Sequence, residues 1–220
     1  MDAIECIKTR KSIRQFKPEP IPKEILMGLI DIAKWSPSYK NTQPWESIIL
    51  SGAKKEALTK KLVDLLEKDT ETCPDLPEPK SWPATEAARI DYLLRKRAKA
   101  TGSDLNDPAA LKQAKTRNFN FYGAPHVIYL FQDAALSQWS MFDLGLFAQS
   151  LMLAANANGL GTVPQAFATD YAQDIKKFLS IPETKRLVIG ISIGYADMKS
   201  PANAMRSERD ETGEFVKWIE

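Results

Sequence analysis

The longest helical pattern in the chain, from Ser137 to Asn158, limits the possible folds more than any other feature. It contains most of the most apolar window, Leu144 to Leu160, which four glutamine, serine and asparagine residues interrupt. The window is also shorter than the ~20 apolar residues that span a bilayer. We therefore expect a buried, central helix in a soluble protein that has no membrane partner.

Short runs rich in β-forming residues alternate with helical patterns along the rest of the chain. At 220 residues and 44% apolar composition, the chain is long enough for one substantial core, so we expect one domain covering residues 1–220. We predict strands at Glu46–Leu50, His126–Phe131, Thr162–Ala166 and Leu187–Ile193, and further helices at Asp2–Thr9, Pro22–Ala33, Ala53–Lys68 and from an Asp170 cap to Leu179.

Three segments do not fit this alternation simply. Residues 69–83 hold four prolines and predict an exposed loop. The segment Ala84–Thr116 is strongly charged but carries apolar residues at helical spacing, which predicts a helical excursion that could cover a site. The closing segment, Glu214–Ile219, fits both the helix and the strand template.

Charge and cysteine usage argue against several classes of partner. A net charge of +2 creates no global field that would attract nucleic acid. Cys6 and Cys73 have no CxxC spacing, so we expect neither a disulfide framework nor a metal site, and a reducing cytoplasm fits. The only histidine, His126, begins a predicted strand, where a structural role is favoured.

Three cations and a hydroxyl occur within five residues near the amino terminus: Arg10, Lys11, Ser12 and Arg14. Guanidinium, ammonium and hydroxyl groups are suitable donors to one phosphate. A solvated helix end is the alternative, since cations also favour a helix carboxyl terminus. The cluster alone does not decide between the two.

The loop from Ser36 to Trp45 carries amide and hydroxyl groups between two prolines. Asn41 and Gln43 could donate to and accept from the edge of a heterocycle. A rigid turn in which Trp45 anchors the core is the alternative. The sequence has no Walker A motif, no complete GxGxxG fingerprint and no GxSxG elbow, so nucleotide binding of those types and triad chemistry are not indicated.

Four motifs in order give the whole chain a resemblance to the FMN-dependent nitroreductase family. They are Arg10–Phe16, Ser36–Trp45, Gly159–Gln165 with Gly190–Asp197 behind it, and Asn203–Arg209. The resemblance implies an α+β, three-layer fold in which helices flank a central mixed, mainly antiparallel sheet. It also implies an intertwined homodimer in which the carboxyl-terminal strand joins the partner's sheet.

The resemblance further implies FMN as cofactor and NADH or NADPH as reductant. Its cofactor-binding positions correspond here to Arg10, Lys11, Ser12, Arg14, Pro37, Ser38, Tyr39, Asn41, Gln43, Pro164, Gln165, Ala166, Arg206 and Arg209, with residues 37–43 supplied by the other subunit. Aromatic candidates for the substrate pocket are Tyr39, Phe121, Tyr122 and Phe167.

The implied reaction is ping-pong reduction of nitroaromatics, quinones or similar small, electron-poor acceptors. Because the flavin N5 would carry the hydride, we expect no catalytic side chain and no metal. A flavin reductase or a reductive dehalogenase on the same fold, and a flavin-binding protein without turnover, are the alternatives.

Overall fold

A computed structural model describes residues 2–104 and 106–220. Its helices are α1 Ala3–Thr9, α2 Lys23–Ala33, α3 Gly52–Glu67, α4 Ala84–Thr101, α5 Pro108–Phe119, α6 Gln138–Ala157 and α7 Ala172–Leu179. Its strands are β1 Glu46–Ser51, β2 His126–Asp133, β3 Gly161–Gln165 and β4 Lys185–Gly194. No helix in these two ranges is long and apolar enough to cross a membrane.

The four strands form one sheet in the order β1-β2-β4-β3, and all three strand pairs are antiparallel. In the described chain, the parallel component of the expected mixed sheet is a single bridge, between Ser12 and Thr162. The α+β fold is confirmed.

Helices pack on both faces of the sheet because the central strand β2 is apolar on both sides. Its side chains alternate between two cores: Val127, Tyr129 and Phe131 face one, and Ile128 and Leu130 face the other. The first core contains residues of α3, α5 and α7, whereas the second contains residues of α2 and α6. The result is a three-layer arrangement with α6 largely buried, as its sequence predicted.

The structure corrects one local prediction and adds detail to another. The excursion at 84–116 contains two helices, α4 and most of α5, and α4 is followed by Gly102, whose φ of 68° lies in the left-handed region that favours glycine. Asp170 does not cap α7: the N-cap is Tyr171, which makes no side-chain capping bond. Asp170 instead follows the short 3₁₀ turn at Phe167–Thr169.

The carboxyl-terminal segment forms neither a helix nor a paired strand in the single chain. After a short 3₁₀ turn at Thr212–Glu214 it runs on without regular structure. Phe215 and Trp218 are 70% and 82% exposed, which is unusual for large apolar side chains. The segment therefore lacks burial in one copy of the chain.

Candidate functional site

A small, strongly cationic cavity of about 90 Å³ joins the amino-terminal cluster to the end of the chain. Its lining comes from three separate segments, residues 10–14, helix α4 and residues 205–209. The lining residues are Arg10, Lys11, Ser12, Arg14, Arg97, Met205, Arg206, Ser207 and Arg209. The structure thus brings Arg206 and Arg209 to the amino-terminal cluster, as the sequence predicted.

The cations of this cavity have no acidic partners. Among the described residues, none of the six has a carboxylate oxygen within 4.0 Å. Arg10 has a buried Nη1 that makes no hydrogen bond, and burial, followed by the charges of Arg209 and Arg206, lowers its pKa. Converging cations without counter-charge are favourable only when an anion neutralises them. The donor set of guanidinium, ammonium and hydroxyl groups fits a phosphate.

Asn203, fully buried, fastens the amino-terminal segment to the carboxyl-terminal one. Its Oδ1 accepts from the backbone N–H of Arg14 at 2.6 Å, and its Nδ2 donates to the carbonyls of Gln15 and Asp197 at 2.7 and 2.9 Å. Its own carbonyl accepts from Lys11 Nζ at 2.5 Å. The side chain of Lys11 is therefore partly committed to holding the cavity together.

The sheet fixes the position of the same amino-terminal segment. Ser12 bridges Thr162 of β3, and the backbone N–H of Ile13 donates to the Thr162 carbonyl at 2.9 Å. This approach requires Gly161, because a Cβ there would lie 2.7 Å from Ile13 Cγ1. The cationic cluster is thus placed against an edge of the sheet.

A second, larger cavity of about 640 Å³ opens beside the first. The two share Arg14, Arg97 and Met205 in their linings. Helices α4 and α5 contribute much of the larger wall, including Leu94 and Leu111. Together the cavities suit an elongated ligand that has an anionic end and a larger, partly apolar body.

The predicted pocket aromatics divide into three groups. Tyr122 and Phe167 line the larger cavity. Phe121 does not: it is fully buried in the core, edge-on to Tyr129, and its assignment to the pocket is corrected. Tyr39 lies elsewhere, stacked on Trp139 with ring centroids 6.0 Å apart.

Residues 164–166 lie at the end of β3 and are absent from both linings. Gln165 is buried: its Nε2 donates to the Asn118 carbonyl at 3.0 Å, and its Oε1 accepts from the Ser192 hydroxyl. The side chain is therefore engaged in the fold. Ala166, in contrast, is exposed, and it immediately precedes Phe167 in the cavity wall.

The loop 36–45 lies apart from both cavities within one chain. Tyr39 N–H donates to Asp143 of α6 at 3.1 Å, and Ser38 Oγ accepts from Gln43 N–H at 3.0 Å. Lys40, Asn41 and Gln43 have φ values of 50°, 56° and 46°, a conformation that is costly for residues other than glycine. Pro37, Ser38, Tyr39, Asn41 and Gln43 thus do not join the cationic cluster of their own chain.

His126 is a structural residue. Its Nε2 accepts from the backbone N–H of Ile21 at 2.8 Å, while its buried Nδ1 has no partner. Burial, and then the charge of Lys55, lower its pKa, which agrees with the acceptor role of Nε2. Across residues 2–104 and 106–220 no group of histidine, cysteine and carboxylate side chains is arranged to hold a metal ion.

Sequence reasoning missed three contributors to the site. Asn203 stood within a motif but was not assigned a role. Arg97 lay in the predicted helical excursion and Arg117 directly after it, and no local pattern reveals how this part of the chain packs. Arg117 lines the larger cavity, and its Nη2 donates to the Arg14 carbonyl at 3.3 Å. The unusual charge of the excursion was the available signal.

Comparison with known proteins gives consistent matches along the chain. A family model described as the Nitroreductase family matches residues 7–195. Nitroreductase NfnB of Mycolicibacterium smegmatis is 34% identical over 98% of this chain and 92% of its own length. A 4-nitrobenzoate reductase of Pseudomonas putida is 33% identical, with coverage of 97% and 93%.

Solved structures agree in fold. The FMN-dependent nitroreductase NfnB from Mycobacterium smegmatis, in complex with NADPH, superposes with a TM-score of 0.95 at 31% identity, covering 99% of this chain and 98% of that one. By sequence alone, a more distant relative, the iodotyrosine deiodinase of Thermotoga neapolitana, is 24% identical over 90% of both chains.

Proposed function

The chain belongs to the nitroreductase family, and on that premise we propose that it is an FMN-dependent oxidoreductase that uses NAD(P)H to reduce small, electron-poor acceptors such as nitroaromatics and quinones. One observation carries the proposal: a cationic cavity without counter-charge opens into a larger, partly apolar one. That shape matches a molecule with a phosphate at one end and a ring system at the other. Relatives of known activity and an NADPH complex support the same conclusion.

The residues of the small cavity fit the phosphate of FMN. Arg10, Lys11, Ser12 and Arg14 would hold the phosphate and the adjoining chain, and Arg206 and Arg209 would close on it from the other side. Each charge-assisted hydrogen bond of this kind contributes about 1.5–3 kcal/mol. The segment 164–166 would border the ring system, where a backbone N–H could donate to it.

A homodimer would complete the site. We propose that the partner subunit supplies the loop containing Pro37, Ser38, Tyr39, Asn41 and Gln43, because this loop reaches neither cavity of its own chain. Large apolar side chains are exposed on several elements of the single chain, which gives a second copy surface to bury. They include Trp35, Trp139, Phe142, Phe215 and Trp218.

In the proposed mechanism, NAD(P)H would supply the hydride, and bound FMN would supply the chemistry that accepts it and passes electrons to the acceptor. The protein would bind and orient these molecules and exclude water. Arg14, which lines both cavities, would also place positive charge near the ring system, and Tyr122 and Phe167 would shield the larger cavity. The reductant and the acceptor would use the larger cavity in turn, in a ping-pong order. No side chain acts as general acid or base in this scheme.

We also propose that residues 1–220 work as one FMN-binding unit in a reducing cytoplasm. Cys6 and Cys73 are both free thiols, which fits that setting.

The decisive experiment is an anaerobic bleaching assay on purified protein reconstituted with FMN. NADH or NADPH should bleach the visible absorbance of the flavin, and 4-nitrobenzoate or a quinone should restore it. Protein that ignores added FMN would overturn the proposal. Flavin that binds but does not bleach would indicate a flavin-binding protein, and reoxidation only by free flavin or by a halogenated tyrosine would favour one of the other reductases.

A further inference from the structure

Arg97 of helix α4 lies where the two cavities meet. It lines both of them, together with Arg14 and Met205. Its Nε is buried without a hydrogen-bond partner, and no carboxylate of the described chain lies within 4.0 Å of its guanidinium group. Arg97 as a whole is half-buried, and burying part of its guanidinium without a partner is costly unless a ligand neutralises the charge.

Three of the four other cations of α4 have acidic partners, and the fourth, Lys99, is exposed to water, which sets the partly buried Arg97 apart. Arg95 pairs with Asp91 at 2.8 Å within the helix, on the exposed side. Lys96 pairs with Glu208, and Arg89 pairs with Asp210. Acidic side chains are thus available near α4, yet Arg97 points its donors at a site lined with other cations.

Two of these pairs, those of Lys96 and Arg89, connect α4 to the segment that carries Arg206 and Arg209. Tyr92 Oη donates to Glu208 at 2.8 Å, next to the Lys96 pair on the same carboxylate. Such exposed contacts are individually weak. They nevertheless connect α4 to residues 208–210, while Arg97 of the same helix lines the cationic cavity.

We propose that Arg97 is a further ligand of the anion that occupies the cationic cavity, and that this contact holds the cover helix α4 over the site. The identity of that anion as the phosphate of FMN rests on the proposed function. Binding of the anion and closure of α4 are then linked: each stabilises the other by the same free energy.

Repulsion among the cations of the cavity explains why absence of the anion favours movement of α4 away from the site. Burial, and then the charge of Arg14, lower the pKa of Arg97 against an opposing contribution from Tyr122, so its charged form is less favourable in this arrangement than in water. An anion reverses the sign of the local field. Without one, α4 gains by moving Arg97 away from Arg14 into water.

The first test compares FMN with riboflavin, which has the same ring system but no phosphate. Arg97→Ala should weaken FMN binding about 10-fold or more, as expected for one lost charge-assisted hydrogen bond, and leave riboflavin binding unchanged. Arg95→Ala is the matched control on the same helix and should change neither. If Arg97→Ala weakens both ligands equally, or neither, Arg97 does not bind the phosphate.

The second test measures closure and does not depend on flavin. Amide hydrogen exchange in α4 should slow when wild-type protein is given inorganic phosphate, and slow further with FMN, but phosphate should have no effect in Arg97→Ala. Phosphate protection that persists in Arg97→Ala would overturn the inference. If the wild type failed to bind FMN while phosphate still protected α4 through Arg97, the proposed cofactor would be wrong and the role of Arg97 would stand.

Discussion

At the scale of single residues, Arg14 and Arg209 test the phosphate assignment directly. Replacing either with alanine should weaken FMN binding by about 1.5–3 kcal/mol, because each supplies a charged donor to the same cavity. Titration of flavin fluorescence measures the change. Lys199→Ala removes an exposed cation near the carboxyl-terminal segment, outside both linings, and is the control. Unaltered titration curves in both arginine variants would contradict the assignment.

Asp170 should make stability depend on pH. Burial raises its pKa to about 6, opposed by Lys115 and assisted by Glu78. Because this pKa lies above that of the unfolded chain, the folded state retains the proton longer, so the stability that protonation provides is lost as pH rises from about 4 to about 6. In urea unfolding, wild type should lose on the order of 1 kcal/mol relative to Asp170→Asn over that interval, since partial exposure weakens the effect.

Exposed Glu71, in the neighbouring loop, provides the control as Glu71→Gln. A constant difference between wild type and Asp170→Asn from pH 4 to 7 would show that Asp170 does not titrate in this range.

The sequence predicted site residues that lie close together along the chain and missed those that the fold brings in from elsewhere. The Arg10–Arg14 cluster is visible in five consecutive residues, whereas Arg97 joins it only through the packing of α4. Phe121 and Tyr122 were indistinguishable as sequence, yet both have positive φ, near 52° and 53°. That turn places the first ring in the core and the second against the larger cavity, and no side-chain pattern encodes it.

At the scale of elements, Gly161 controls where the amino-terminal segment lies on the sheet. Gly161→Ala should destabilise the protein and weaken FMN binding, because the new Cβ would lie 2.7 Å from Ile13 Cγ1 and push residues 12–13 away from β3. We expect a loss of about 1–3 kcal/mol in urea unfolding. Gly28→Ala, in α2 with open space around it, is the control and should be neutral or slightly stabilising.

An equal effect of the two substitutions would mean that the approach of Ile13 to Gly161 does not constrain the segment.

The elements themselves were largely predictable because their apolar spacing is regular. All four predicted strands and the long helix α6 appear within about two residues of their expected ends. The excursion contains two helices, and its charge pattern does not show where the first one ends, because that depends on the left-handed conformation of Gly102. Asp170 matched the pattern of a cap, but the helix begins after Tyr171 and leaves that carboxyl without a capping role.

At the scale of the whole molecule, the exposed apolar side chains of the carboxyl-terminal segment predict a dimer. The protein should sediment as a dimer, and the double variant Phe215→Ala with Trp218→Ala should dissociate at higher protein concentration, since two large apolar side chains would no longer be buried. Trp82→Ala, which removes an exposed aromatic before α4, is the control. Analytical ultracentrifugation across a dilution series measures both.

A wild-type protein that sediments as a monomer with FMN bound would rule out the shared site. In that case the loop 36–45 would have no access to the cofactor, and its backbone strain would need another explanation.

The contact between Ser12 and Thr162 has a second consequence, for solubility. β3 is the last strand on its side of the sheet, and such strands offer unpaired N–H and C=O groups to any other chain that can add a strand. Ile13, bonded to the Thr162 carbonyl, occupies part of that border. Residues 10–14, which supply cations to the small cavity, therefore also cover part of this edge. We expect this cover to reduce aggregation through the edge whether or not a ligand is present.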